Sequence, residues 1–101
     1  MIVTVFRSRL KPGVQDEYGP MAARMSALAK SMPGYISHKG FVAEDGERVT
    51  IVEFESEADV AAWSAQADHA AAKRRGREAF YAEYDIKICS VLKTRAFRAD
   101  R

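Results

Sequence analysis

The chain has 101 residues, enough for about one domain with a single core. Its 48% hydrophobic and 30% charged residues exclude a disordered chain, and a formal net charge of +2 argues against a nucleic-acid or membrane partner. The apolar runs are too short to span a membrane, and one cysteine cannot form an internal disulfide, so we expect a cytoplasmic protein. We expect residues 1–101 to form one domain with a tail from about residue 95.

The N-terminal third is predicted to be a strand followed by a helix. Ile2–Leu10 is rich in β-branched residues and is stopped by a Pro-Gly pair. Apolar residues then recur at helical spacing over Val14–Met32. Pro20 interrupts this stripe and lacks the N–H of a helical hydrogen bond, so we expect either a kink there or a helix that starts near Pro20.

The middle of the chain is predicted to be a β-hairpin. Tyr35–Val42 and Glu47–Glu55 both have strand-like patterns, and the Asp45-Gly46 pair between them favours a tight turn. Both predicted strands follow the Pro-Gly pair that ends the first helix.

The last part is predicted to be a helix in two pieces and a final strand. Ser56 precedes acidic residues and is a candidate N-cap of a helix that contains Trp63. A break at 66–68 leads to a second helical stretch from His69 to about Tyr81. Glu83–Thr94 then alternates as a strand does.

The element order βαββαβ predicts a ferredoxin-like α+β fold with a four-stranded antiparallel sheet. Strand one has apolar residues on both sides, with Val3 and Val5 on one and Ile2 and Phe6 on the other, and strands three and four are also predicted to be apolar on both faces. A water-facing side of an antiparallel sheet is normally polar, so we expect a second sheet, from a second copy of the chain, to cover it. A homodimer is therefore predicted.

Four segments in this order resemble the antibiotic biosynthesis monooxygenase (ABM) domain family: residues 32–35 (Met-Pro-Gly-Tyr), residues 53–57 leading to Trp63, His69, and residues 75–81. The resemblance implies a dimeric α+β barrel. It is less specific for the reaction, since such families include cofactor-free monooxygenases acting on polycyclic phenols, quinol oxidases and haem-degrading enzymes.

The resemblance also implies a substrate cleft between the helices and the sheet. Trp63 matches the aromatic residue that lines it, and His69 stands where some members have a tyrosine and can transfer a proton. Both residues also fit purely structural roles, as a packing tryptophan and a hydrogen-bonded surface histidine. Asp59 occupies a position where the monooxygenase pattern has an asparagine, and an ionised aspartate accepts hydrogen bonds without donating them.

His38, Tyr81 and Met25 are further candidates for the cleft, with core or edge packing as the alternative for each. The haem-degrading pattern is not matched, because Arg7 and Lys73 stand where it has asparagine and histidine. The leading prediction is thus a monooxygenase that oxidises a small aromatic or phenolic substrate without metal, flavin or haem. A non-catalytic small-ligand-binding or stress-related dimer is the alternative, and a haem-degrading member is a third.

Overall fold

The computed structural model describes residues 1–100. The chain forms one antiparallel sheet of order β2-β3-β1-β4, with strands β1 (Ile2–Leu10), β2 (Tyr35–Val42), β3 (Arg48–Phe54) and β4 (Tyr81–Ser90). The helices are α1 (Gln15–Lys30), α2 (Glu57–Ala65) and α3 (Ala67–Arg75), followed by a π-helical turn, Gly76–Phe80. The predicted βαββαβ order and the split second helix are confirmed. None of the described helices is long and apolar enough to cross a membrane.

The strand register assigns residues to the two faces of the sheet. Residues paired across antiparallel strands share a face, so Ile2, Phe54 and Ser90 lie on one side and Val3, Glu53 and Cys89 on the other. The helices pack on the Phe54 side of the sheet. His38 pairs with Val52 on that face, and its side chain is hydrogen-bonded to Ser26 of α1. We call this side the helix face and the opposite side the bare face.

The core lies between the helix face and the helices. Phe54 and Phe80 are the two largest fully buried side chains, and Ile2, Met21 and Ala29 are buried around them. These residues come from two strands, from α1 and from the π-helical turn, so they join every layer of the fold. Burial of an aromatic side chain of this size contributes about 1.5–3 kcal/mol to the free energy of unfolding.

Helix α1 begins before the proline. It starts at Gln15 and includes Pro20, so the expectation of a start near Pro20 is wrong. The first turn is held by bonds from the N–H groups of Glu17 and Tyr18 to the carbonyl of Val14. The ring of Tyr18 also packs edge-on against Phe80 at 5.7 Å. These contacts fix the turn despite the hydrogen bond that Pro20 cannot make.

The chain after α3 differs from the prediction. The helical stretch ends as a π-helical turn at Phe80, and β4 runs from Tyr81 to Ser90 rather than from Glu83 to Thr94. A Cβ at Gly76 would lie 2.5 Å from the Tyr81 ring, so glycine lets this ring pack against the turn. The last backbone hydrogen bond between β1 and β4, from the Val91 N–H to the Met1 carbonyl, lies one residue beyond the end of β4.

The bare face has an apolar centre and charged margins. The central strands place Val3, Val5, Val49 and Ile51 there, and Ile51 is 36% exposed. Charged side chains of both signs occupy the edge strands and both ends of the face: Arg7, Arg9, Lys39, Glu53, Glu83, Asp85 and Lys87. Arg7 donates two hydrogen bonds to Glu47 of the β2–β3 turn. The prediction of apolar residues on both faces is thus confirmed for β1 and β3, but it is wrong for β4, whose apolar Ile86 and Ile88 lie on the helix face and whose bare face is mainly charged.

Candidate functional site

The junction of α2 and α3 places Trp63 and His69 together. Ser56 caps α2 by accepting a hydrogen bond from the Asp59 N–H, as predicted. Gln66 ends α2 and begins α3 with an extended ψ of 130°. Its N–H donates to the Trp63 carbonyl at 3.2 Å, and its side-chain oxygen accepts from the His69 N–H at 2.9 Å. Gln66 therefore ends α2, caps the start of α3 and fixes the turn between the helices that carry the two rings.

The rings of Trp63 and His69 are stacked. Their centroids are 3.8 Å apart and their planes differ by 11°. The Nδ1 of His69 lies 2.9 Å from the Trp63 carbonyl oxygen. Because a carbonyl only accepts, Nδ1 carries the proton, and in the neutral ring Nε2 is left as an acceptor. The fold thus selects the tautomer in which His69 can take up a proton at Nε2.

The surroundings of His69 keep the ring neutral near pH 7. Burial lowers the pKa of His69 from its ordinary value, the Trp63 carbonyl partly offsets that effect, and the nearby Lys73 ammonium lowers the pKa further. Lys73 is fixed close by, since its ammonium donates to the carbonyl and hydroxyl of Ser64 at 2.8 and 2.7 Å. A half-buried neutral imidazole with one open nitrogen is a suitable general base.

His38 lies in a separate hydrogen-bonded cluster. Its Nε2 is 2.7 Å from the Ser26 hydroxyl and its Nδ1 is 2.7 Å from the Tyr35 hydroxyl. Burial and the charge of Lys30 lower the pKa of His38. Both ring nitrogens are therefore occupied by partners within the chain. Sequence reasoning missed Ser26 and Tyr35; the offset of three residues from Tyr35 to His38 was visible, but the register shift at the start of β2 that lets their side chains meet was not.

Asp59 is engaged at the start of α2. Its carboxylate accepts a hydrogen bond from the Ser56 hydroxyl at 2.9 Å, while its backbone N–H donates to the same oxygen at 3.1 Å. The carboxylate also lies against Gly34, where an added Cβ would overlap it and where φ is +81°. The Asp59 side chain thus packs the first turn of α2 against the turn that precedes β2.

Tyr81 belongs to an aromatic cluster at the start of β4. Its ring packs edge-on against Phe6 at 5.5 Å, Tyr18 at 5.9 Å and Tyr84 at 5.8 Å. Burial, with a smaller effect of Tyr18, strongly raises the pKa of the Tyr81 hydroxyl, so this phenol stays protonated.

Met25 lines a groove between α1 and α3, where a cavity of about 780 Å³ opens to solvent. Of the six residues predicted to form the site, the structure brings only Trp63 and His69 into direct contact. His38, Asp59 and Tyr81 have hydrogen-bonding or aromatic partners of their own. The cluster most suited to chemistry is therefore the Trp63–His69 pair.

Comparisons with known proteins agree with this architecture. Residues 1–75 match the family model described as antibiotic biosynthesis monooxygenase. An uncharacterized protein of Bacillus subtilis strain 168, YqjZ, is 30% identical over 94 residues, which cover 93% of this chain and 82% of the relative.

Solved structures share the fold at low sequence identity. Rv0793 from Mycobacterium tuberculosis superposes with a TM-score of 0.83 at 12% identity, covering 94% of this chain and 98% of its own. SnoaB from Streptomyces nogalater, a cofactor-independent oxygenase, superposes with a TM-score of 0.76 at 18% identity, covering 92% and 94%. The family match covers about three quarters of the chain, from β1 through α3. The chain therefore belongs to the antibiotic biosynthesis monooxygenase family.

Proposed function

We propose that this protein is a cofactor-independent monooxygenase that oxidises a small phenolic aromatic compound with dioxygen. The observation that carries the proposal is the Trp63–His69 pair: an imidazole stacked at 3.8 Å on an indole, with its Nδ1 bound to a carbonyl. Family membership and the fold shared with SnoaB, a cofactor-independent oxygenase, support the same reaction class.

The reaction begins with proton transfer to His69. Nε2 accepts the proton of a phenol or of its tautomer, and the resulting electron-rich anion reduces dioxygen. One oxygen atom enters the product as a new carbonyl and the other leaves as water, so the substrate supplies all the electrons. The chain's contribution is to hold the ring on an apolar wall formed by Trp63, to take up the proton, and to exclude water from the oxygenated intermediate.

The protein is proposed to act as a homodimer. The bare face has Val3, Val5, Val49 and Ile51 at its centre and ion pairs at its margin, such as Arg9–Asp45 at 2.7 Å. An apolar centre within a polar rim is the composition of a specific protein interface. Because the bare face presents the same surface on every copy, pairing about a twofold axis covers it on both partners.

A non-catalytic, small-ligand-binding dimer is the second candidate. The observation that favours it is the position of Asp59, which stands where the monooxygenase pattern has asparagine and whose carboxylate is occupied by a hydrogen bond from the hydroxyl of Ser56, the N-cap of α2. A haem-degrading activity has less support, since the ammonium of Lys73 is committed to Ser64.

Oxygen uptake with a panel of anthrones and hydroquinones tests the proposal. We expect the wild type to consume dioxygen with each productive substrate and Trp63→Ala to lose most of the turnover. Phe97→Ala is the matched control, because Phe97 is an aromatic residue 91% exposed in the C-terminal tail. Binding of the panel without oxygen uptake would support the ligand-binding alternative instead. A shift of the Soret band of added hemin would support the haem-degrading activity.

A further inference from the structure

The seam between α1 and α3 is unevenly packed. Helix α1 contributes the large side chains of Met21, Met25 and Leu28, whereas α3 opposes them with Ala71 and Ala72. Methyl groups cannot fill the space that these helices leave between them, so the groove of about 780 Å³ remains open. This volume lies within the range of sites that bind small molecules, which are mostly apolar with a few polar groups.

The charged residues around the groove differ in their availability. Arg75 is not available to a ligand, because its guanidinium donates to both carboxylate oxygens of Glu17 at 2.8 and 3.0 Å and lies 5.4 Å from the Phe80 ring. Arg24 also lines the groove and is exposed, and within residues 1–100 no hydrogen bond or ion pair holds its side chain. Asp68, in the first turn of α3, adds one negative charge.

We propose that this groove binds an apolar carboxylate, typified by an aromatic acid, with its carboxylate on Arg24 and its ring against Met21 and Met25. A guanidinium recognises a carboxylate through two parallel hydrogen bonds, and methionine side chains adapt to flat apolar surfaces. The site is distinct from the Trp63–His69 pair, which does not line the groove. It does not depend on the proposed oxygenase activity.

A small anion suits this groove better than a peptide or a second copy. The groove is interrupted at one end by the Glu17–Arg75 ion pair, which a continuous helix or strand laid along the seam would have to displace. Arg24 is the cation available for a single anionic group, and a second carboxylate would meet Asp68. The geometry therefore favours a ligand with one carboxylate and a compact apolar body.

The probe is a matched pair of ligands, 2-naphthoate and its neutral amide, 2-naphthamide, titrated by calorimetry into the full-length protein. We expect 2-naphthoate to bind more tightly than the amide, and Arg24→Gln to weaken its binding by about three- to tenfold while leaving the amide unchanged. Arg74→Gln is the control, because Arg74 is an exposed arginine of α3 that does not line the groove. Asp68→Asn should strengthen naphthoate binding by removing a like charge.

A second variant tests the position of the site. Ala71→Leu places a larger side chain into the groove and should weaken naphthoate binding, whereas Ala61→Leu, at an exposed alanine of α2 outside the groove, should not. Equal affinities for naphthoate and naphthamide would overturn the proposal, as would a naphthoate affinity that Ala71→Leu leaves unchanged. It would also fail if Ala71→Leu changed the oligomeric state, or if Trp63→Ala removed naphthoate binding.

Discussion

His69 is stacked on Trp63, six residues earlier in the chain, and its Nδ1 is hydrogen-bonded at 2.9 Å to the carbonyl of that same residue. The tryptophan thus acts on the histidine twice. Its side chain shields the imidazole from water, and its main chain fixes the tautomer. Both effects favour a neutral ring with an open Nε2, which is the state that a general base needs.

Replacing Trp63 should change the titration of His69. Trp63→Ala removes the indole that buries the imidazole, so we expect the pKa of His69 to rise toward its ordinary value of 6.5. Histidine NMR resonances followed against pH measure this directly, and those of His38 serve as the internal control because its partners are Ser26 and Tyr35. An unchanged His69 titration in Trp63→Ala would mean that the stack does not control the proton affinity of the ring.

The same burial makes stability depend on pH. Since the pKa of His69 is lower in the folded than in the unfolded chain, the unfolded state binds more protons once the pH falls to about 6.5 and below. The folded state therefore loses stability as the pH falls through this range, and no loss from His69 is expected above it. We expect His69→Gln to show a shallower decrease in urea-melt midpoint from pH 7 to pH 5 than the wild type. Parallel curves for the two proteins would argue against this linkage.

Gly76 should be intolerant of a side chain. A Cβ there would lie 2.5 Å from the Tyr81 ring, so Gly76→Ala forces the aromatic cluster to shift and should reduce the free energy of unfolding by about 1–3 kcal/mol. Gly40→Ala is the control, because its added Cβ meets only the Val49 carbonyl at 4.0 Å and should change stability by less than about 0.5 kcal/mol. Chemical denaturation measures the free energy of unfolding of both variants. Equal losses in the two would show that contact with Tyr81 is not the reason why Gly76 must lack a side chain.

The bare face should hold two copies together. Light scattering is expected to give twice the chain mass of 11.3 kDa for the wild type, and Ile51→Glu should give the monomer mass because it buries a charge in the apolar centre. Ile88→Glu is the matched control, since Ile88 is 60% exposed but lies on the helix face of β4. A wild-type monomer at micromolar concentration, or dissociation by Ile88→Glu alone, would contradict the proposed interface.

Local sequence patterns were sufficient for much of the fold. The bounds of β1 and β2 were predicted correctly, because each strand has its own alternation and is bounded by a Gly- or Pro-containing turn. The N-cap role of Ser56 was also readable, since capping involves residues three apart. The start of β4 was misplaced because Tyr81 looks helical in sequence and is extended only where the π-helical turn ends.

The candidate site was less accessible to such reasoning. Trp63 and His69 were both singled out, but their stacking depends on the backbone angles of Gln66, which helical periodicity does not encode. The partners of His38 lie 12 residues before it, at Ser26, and three before it, at Tyr35. Contacts of this kind arise from how α1 packs on the sheet, so they became visible only in three dimensions.

The pH dependence of oxygen uptake tests the central claim most directly, with wild type and His69→Gln compared on one productive anthrone. If His69 is the base, the wild-type rate should rise through a single ionisation below pH 6.5 and stay level above it. His69→Gln should lose that ionisation and be slower by about a hundredfold or more. A His69→Gln protein that keeps both the wild-type rate and the wild-type profile would contradict the account.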